Sequence, residues 1–144
     1  MSTPVRVAMI GLDHWYTAFP LAKAFAAHPE VEVVGIADED PARVREVAAA
    51  AGLDDAMRSE QQLLDDPRVD VVAAFASTDR NPAICVAAAG AGKHILSIKP
   101  LANTLDDASR IRSAVHKAGV AFVPAESRQR AGALGRQLRT WNDE

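Results

Sequence analysis

The sequence has a single cysteine, Cys85, so no internal disulfide can form and the fold must be held by packing. It contains no CxxC or HExxH spacing, which leaves the common zinc frameworks without ligands. It also lacks an excess of basic residues: 16 Lys and Arg stand against 19 Asp and Glu, for a net charge of −3. That balance provides no electrostatic footprint for nucleic acid or for an anionic membrane. No run reaches the roughly 18 apolar residues of a membrane span. The opening MSTPVRVAMIG has one early arginine and no long apolar stretch, unlike a signal peptide. A reducing, cytoplasmic setting is the expectation.

What is present fits one domain. The chain has 144 residues, 49% of them hydrophobic, and single domains commonly run to about 100–200 residues. Short β-branched runs alternate with longer alanine-rich stretches. Val5–Ile10 reads as a strand ending at Gly11, and the pattern from Thr17 to Ala27 as a helix stopped by His28-Pro29. Glu32–Ala37 is a second strand. Asp40-Pro41 supplies an N-cap and first-turn proline for a helix ending at Gly52. A weak third strand is expected near Ala56–Arg58, then a short helix over Glu60–Asp65 and a fourth strand over Val69–Phe75. Asn81-Pro82 reads as a cap and start for a helix through Ala91, followed by a fifth strand, His94–Ile98. Thr104 with Asp107 looks like a capping box for a helix over Leu105–Ala118, and Val120–Pro124 is a sixth strand. Such alternation predicts a parallel sheet covered on both faces, a doubly wound, three-layer α-β-α fold of Rossmann type over residues 1–125. The arginine-punctuated residues 126–144, with Arg128, Arg130, Arg136 and Arg139, read as a solvated connecting segment.

In an open α/β sheet, ligands bind beyond the carboxyl ends of the strands, where the strand order reverses. The turn after the first strand is Gly11-Leu12-Asp13-His14-Trp15-Tyr16. A dinucleotide fingerprint would place glycine at positions 11, 13 and 16, and Gly11 alone matches. Asp13 sets a carboxylate where phosphates should lie, while His14 and Trp15 border the same turn. Two alternatives stay open here: an altered pocket, or a structural turn with an Asp cap and packed aromatics.

Asp38 ends the second strand, 27 residues after Gly11, against about 20 in the fingerprint. An acid there accepts hydrogen bonds from the adenosine ribose and repels the 2′-phosphate of NADP, so NAD is preferred, with Arg43 as a residue able to reach such a phosphate. Ser77, Thr78 and Asn81 follow the fourth strand and are candidates for the nicotinamide-ribose side, Asn81 having a helix cap as its alternative role. Lys99-Pro100 ends the fifth strand, and a lysine there can hold a hydroxyl or assist proton transfer. Cys85 falls in an apolar helix and reads as a small core residue.

With these residues in place, the chain resembles the N-terminal domain of the Gfo/Idh/MocA family, the glucose–fructose oxidoreductase and inositol dehydrogenase group, from about Val5 to Val123. The most specific stretch is AICVAAAGAGKHILSIKPLANTLDDA, Ala83 to Ala108, with VEVVGIADEDPARV and DDPRVDVVAAFAST beside it. The resemblance implies that Lys99 is the lysine of an E-K-P motif that contacts substrate and nicotinamide ribose, and that the Lys99-Pro100 bond is often cis. It puts Asp38 at the ribose acid, and Thr78 and Asn81 in a T-P-x-x-x-H region. The chain departs from the pattern at Asp13 and Tyr16 (glycine-type positions), Ser77 (often proline), Asn81 (often histidine) and Ile98 (the glutamate before the lysine).

The resemblance further implies an NAD(P)-dependent oxidoreductase acting on a hydroxyl of a sugar, cyclitol or related polyol. Lys99 would be its catalytic residue. Cofactor contacts are expected from Gly11, Asp13, His14, Trp15, Asp38, Ser77, Thr78, Asn81, Lys99 and Pro100. A second domain, missing from this chain, would bind substrate, and the 144 residues alone would be inactive. A homo-oligomer is also compatible. The alternative is a non-catalytic Rossmann module for ligand sensing or assembly, which has lost ordinary dinucleotide binding.

Overall fold

The computed structural model describes residues 3–125. Its elements are β1 (Val5–Ile10), α1 (Trp15–Ala27), β2 (Val31–Ala37), α2 (Pro41–Ala51), α3 (Glu60–Asp65), β3 (Val71–Ala74), α4 (Asn81–Gly90), β4 (His94–Ser97), α5 (Leu105–Ala118) and β5 (Phe122–Pro124). The five strands form one parallel sheet in the order β2-β1-β3-β4-β5. The chain first winds outward from β1 to β2, then crosses back to lay β3 on the other side of β1. The order therefore reverses between β1 and β3. The arginine-rich segment expected over 126–144 lies outside the described residues.

The twofold alternation of strand side chains builds two cores. Ala8 and Ile10 of β1 join Val72 and Ala74 of β3, Ile84 and Cys85 of α4, and Ile111 of α5 on one face. Val7 and Met9 face the other way, with Ala73, Phe75, Ala18 and Ala22 of α1, and Val44 and Val47 of α2. Both faces of β1 and β3 are thus buried, as a parallel sheet requires. Fully burying a side chain such as Met9, Phe75 or Ile36 contributes about 1.5–3 kcal/mol each.

Local signals set the helix starts. The Asp40 carboxylate accepts the Ala42 N–H at 2.9 Å ahead of Pro41. Ser59 and Gln62 form a reciprocal capping box at α3. Thr104 Oγ1 accepts the Asp107 N–H at 3.1 Å and itself donates to the Asp107 carboxylate, so it caps α5 without a reciprocal box.

Some expectations are corrected. The third strand, expected at Ala56–Arg58, shrinks to one parallel bridge between Ile36 and Met57. It is still pinned on both sides, by Ile36 N–H to Ala56 O at 2.7 Å and Arg58 N–H to Ile36 O at 3.0 Å. Gly35 permits this close approach: a Cβ there would stand 2.8 Å from Leu63 Cδ2 and 2.9 Å from Arg58 Cγ. The first helix starts two residues earlier than Thr17, at Trp15. Asn81 does not cap α4. Arg80 takes that position without a side-chain cap bond, while Asn81 is inside the helix and fully buried.

Candidate functional site

The reversal point brings the turns after β1 and β3 together. Gly11 has φ +78°, and a Cβ there would lie 2.5 Å from the backbone of Ala76. Glycine is required on both counts, because a side chain would be strained and would collide with the turn after β3. The His14 N–H then donates to Phe75 O at 3.2 Å, fastening the start of α1 to the end of β3.

Asp13 is the hub of this junction. Its Oδ2 accepts the Ser77 N–H at 2.7 Å, and its Oδ1 accepts Arg43 Nη1 at 2.9 Å. Partial burial raises the affinity of the carboxyl for a proton, but the bonds from Arg43 and Ser77 outweigh it and hold the pKa below the ordinary value. Asp13 therefore does not cap α1, whose flanking residue His14 also makes no side-chain cap.

Asp38 is held as firmly. Leu12 N–H donates to its Oδ2 at 2.6 Å and Asp40 N–H to its Oδ1 at 2.9 Å, while Arg43 Nη1 lies 3.5 Å from Oδ1. Its side chain is only 3% exposed, yet it lines a cavity of about 190 Å³ floored by Ile10 and Ala37. A carboxylate offers about four lone-pair sites. Two backbone bonds leave acceptor capacity for further hydroxyl donors. The two aspartates share Arg43 between them, a link that sequence spacing does not reveal.

The remaining candidates divide. Ser77, bonded to Asp13, and Thr78 are half-buried, and Lys99 and Pro100 are exposed beyond β4. The Lys99–Pro100 bond is cis. Three strand spacings separate β2 from β4, about 14 Å, so Asp38 and Lys99 follow strands on either side of the reversal. Trp15 and Tyr16 are exposed on the first turn of α1, in edge contact with each other, rather than packed in the core. The helix meets the sheet through Ala18 and Ala22 instead, which explains how Tyr16 is tolerated at a glycine-type position.

Asn81 lies beneath this surface. Its Nδ2 donates to Ser97 Oγ at 2.8 Å, and its Oδ1 has no hydrogen-bond partner among the described residues. Ile98, which stands in place of the motif glutamate, is buried in the core shared with α1 and α2. Residues 5–125 match the family model described as an oxidoreductase family with an NAD-binding Rossmann fold. The chain belongs to the Gfo/Idh/MocA oxidoreductase family.

Among curated relatives of this Gfo/Idh/MocA domain, myo-inositol 2-dehydrogenase of Thermotoga maritima is 29% identical over 125 residues, covering 87% of this chain and 37% of the relative. Levoglucosan dehydrogenase, solved with NADH and levoglucosan, superposes with a TM-score of 0.80 at 26% identity, covering 98% of this chain and 40% of that one. KijD10, a 3-ketoreductase from Actinomadura kijaniata solved with NADP, gives a TM-score of 0.78 at 25% identity over 98% and 44% of the respective chains. The chain thus spans about two fifths of the length of the relatives it matches. No helix among the described residues is long and apolar enough to cross a membrane, and these residues contain no cluster of three or more metal-ligating side chains.

Proposed function

We propose that this domain holds NAD along the carboxyl ends of β2, β1, β3 and β4, and serves the interconversion of a hydroxyl and a carbonyl on a sugar, cyclitol or related polyol. The observation that carries the reading is the Asp38 carboxylate, pinned by two backbone N–H groups at the edge of a cavity with lone pairs to spare for ribose hydroxyls. Gly11 fits the same cofactor, since the turn it forms brings backbone close to the reversal point where a diphosphate would lie.

NAD is the preferred cofactor. A 2′-phosphate would approach Asp38 and Glu39, while the nearby cations Arg43 and Arg80 are already paired with carboxylates. The bound nicotinamide would supply hydride exchange with the carbinol carbon. Lys99, at the far end of the site, would hold the substrate hydroxyl as its proton leaves or returns. Ser77, Thr78, His14, Trp15 and Pro100 would border the nicotinamide and its ribose. Asn81 would act from below, through Ser97.

A further domain would close over the substrate, in keeping with the greater length of the relatives. A cytoplasmic setting suits the free, buried Cys85. Nothing in the comparisons favours a non-catalytic module. Calorimetric titration of NADH and NADPH tests the reading: NADH should bind at least about tenfold tighter, a difference of about 1.4 kcal/mol. Equal or tighter NADPH binding overturns the role given to Asp38, and failure of both to bind overturns dinucleotide binding by this domain.

A further inference from the structure

The segment beyond β2 is an open edge of the sheet. Ile36 N–H donates to Ala56 O and Arg58 N–H donates to Ile36 O, so Ala56 O and Arg58 N–H face β2. Along an extended strand, successive residues direct their N–H and C=O groups to opposite sides. Those of Met57 therefore face outward, and the Met57 N–H has no hydrogen-bond partner among the described residues. The Met57 side chain is exposed as well. The opposite edge, β5, is short and ends on Pro124, which has no N–H to offer.

A row of unpaired N–H and C=O groups is a template for a further strand. Here the chain takes up its own outward acceptors. Arg58 Nη1 donates to Met57 O at 2.8 Å and to Asp55 O at 2.9 Å, with the Asp55 carboxylate 3.6 Å from the same nitrogen. The stem reaches this position across Gly35, where a Cβ would stand 2.9 Å from Arg58 Cγ. Hydrogen bonds from a charged donor are stronger than neutral ones, so the two carbonyls are firmly closed. As an ion pair with the exposed Asp55 carboxylate, the arginine would contribute little. As a donor to two carbonyls, it decides what the edge can pair with.

We infer that Arg58 guards a latent pairing surface at residues 55–58, and that the partner this surface fits is the same edge of a second copy of the chain. Met57 presents one N–H and one C=O to the same side, the set that two antiparallel strands exchange at a hydrogen-bonded pair. Two Met57 residues related by a twofold axis would satisfy each other, which makes the surface self-complementary. Their exposed side chains would then lie next to each other on one face of the joined sheet. While Arg58 holds Met57 O, the exchange is blocked at its acceptor.

Sedimentation equilibrium of the whole chain tests the inference on wild type, Arg58→Ala, Arg58→Ala combined with Met57→Pro, and Arg45→Ala. Freeing the acceptors should raise the self-association constant about tenfold above wild type. Met57→Pro removes the outward N–H without breaking a bond to β2, so the double variant should return to the wild-type constant. Arg45→Ala makes the same change of charge at an exposed position of α2 and should leave association unchanged. The guard is overturned if Arg58→Ala associates no more than wild type, or if Arg45→Ala gains as much, since net charge would then account for the effect. Association that survives Met57→Pro overturns the assignment to this edge. Amide hydrogen exchange on Arg58→Ala gives a second readout that does not depend on the proline variant folding. The Met57 amide should become protected as protein concentration rises, and an associated variant with that amide unprotected overturns the edge as the interface.

Discussion

Asp13 Oδ2 accepts the backbone N–H of Ser77 at 2.7 Å, so one side chain bridges the two turns on either side of the strand-order reversal. The same carboxylate occupies Arg43. It therefore withholds one N–H donor and one guanidinium from any diphosphate placed there, and adds a negative charge of its own. Asp13→Asn keeps an acceptor for Ser77 and removes the charge. It should strengthen NADH binding about threefold to tenfold, the scale of one partly screened charge contact. Unchanged or weaker binding would show that the diphosphate does not approach this turn. Asp13→Ala, which also loses the Ser77 bond, should cost about 1–2 kcal/mol of stability in chemical denaturation.

Gly11→Ala should be among the most damaging single changes to the domain. The methyl would sit 2.5 Å from Ala76 in a backbone conformation with φ +78°. Strain and overpacking each typically cost about 1–3 kcal/mol. A loss below about 1 kcal/mol in urea unfolding would mean that the two turns can separate freely.

How much of this was legible in the sequence depends on the range of the interaction. Asp40-Pro41 and Thr104 act within three residues, and their caps were readable. Asn81 carried the same local signal, but its side chain bonds Ser97, 16 residues away, and burial prevailed over capping. The Ala56–Arg58 strand was real in direction but not in extent, because only the gap over Gly35 lets that segment touch β2. That Asp38 follows directly on the end of β2 was readable from the apolar run before it. Its sharing of Arg43 with Asp13 was not, since helical periodicity says which residues face solvent but not which charges meet across it.

Cys85 should be inert in the native protein. Burial pushes its thiol up to about 11, with the Ser97 hydroxyl opposing slightly. Its side chain sits between α4 and the sheet with no exposure. Labelling with a disulfide reagent at pH 8 should proceed roughly a hundredfold slower than in the denatured chain. The rate should rise only with global unfolding. Rapid labelling of folded protein would mean that α4 opens locally.

Acid should loosen the pairing of β1 with the segment that enters β3. Asp70 accepts the Arg6 side chain through both oxygens and the Arg6 N–H, and these bonds hold its pKa at about 2. A carboxyl depressed in the folded state stabilises the fold above its unfolded pKa of about 3.9. That contribution is lost as pH falls through the folded value. The melting temperature should therefore drop between about pH 4 and pH 2. Asp70→Asn should flatten that drop while lowering the midpoint at neutral pH. An identical acid profile in the variant would assign the drop to other carboxyls.

Three of the bonds that assemble the site are distant in sequence: Leu12 to Asp38 across 26 residues, Arg43 to Asp13 across 30, and Ser77 to Asp13 across 64. A chain that has joined only β1 and β2 possesses the Asp38 shelf but lacks the wall that β3 brings. Recognition is thereby tied to completion of the topology. An occupant bridging both halves would discriminate against every partly wound intermediate, and its affinity would be transmitted as resistance to opening along β1 and β3, the seam where the two windings of the fold meet.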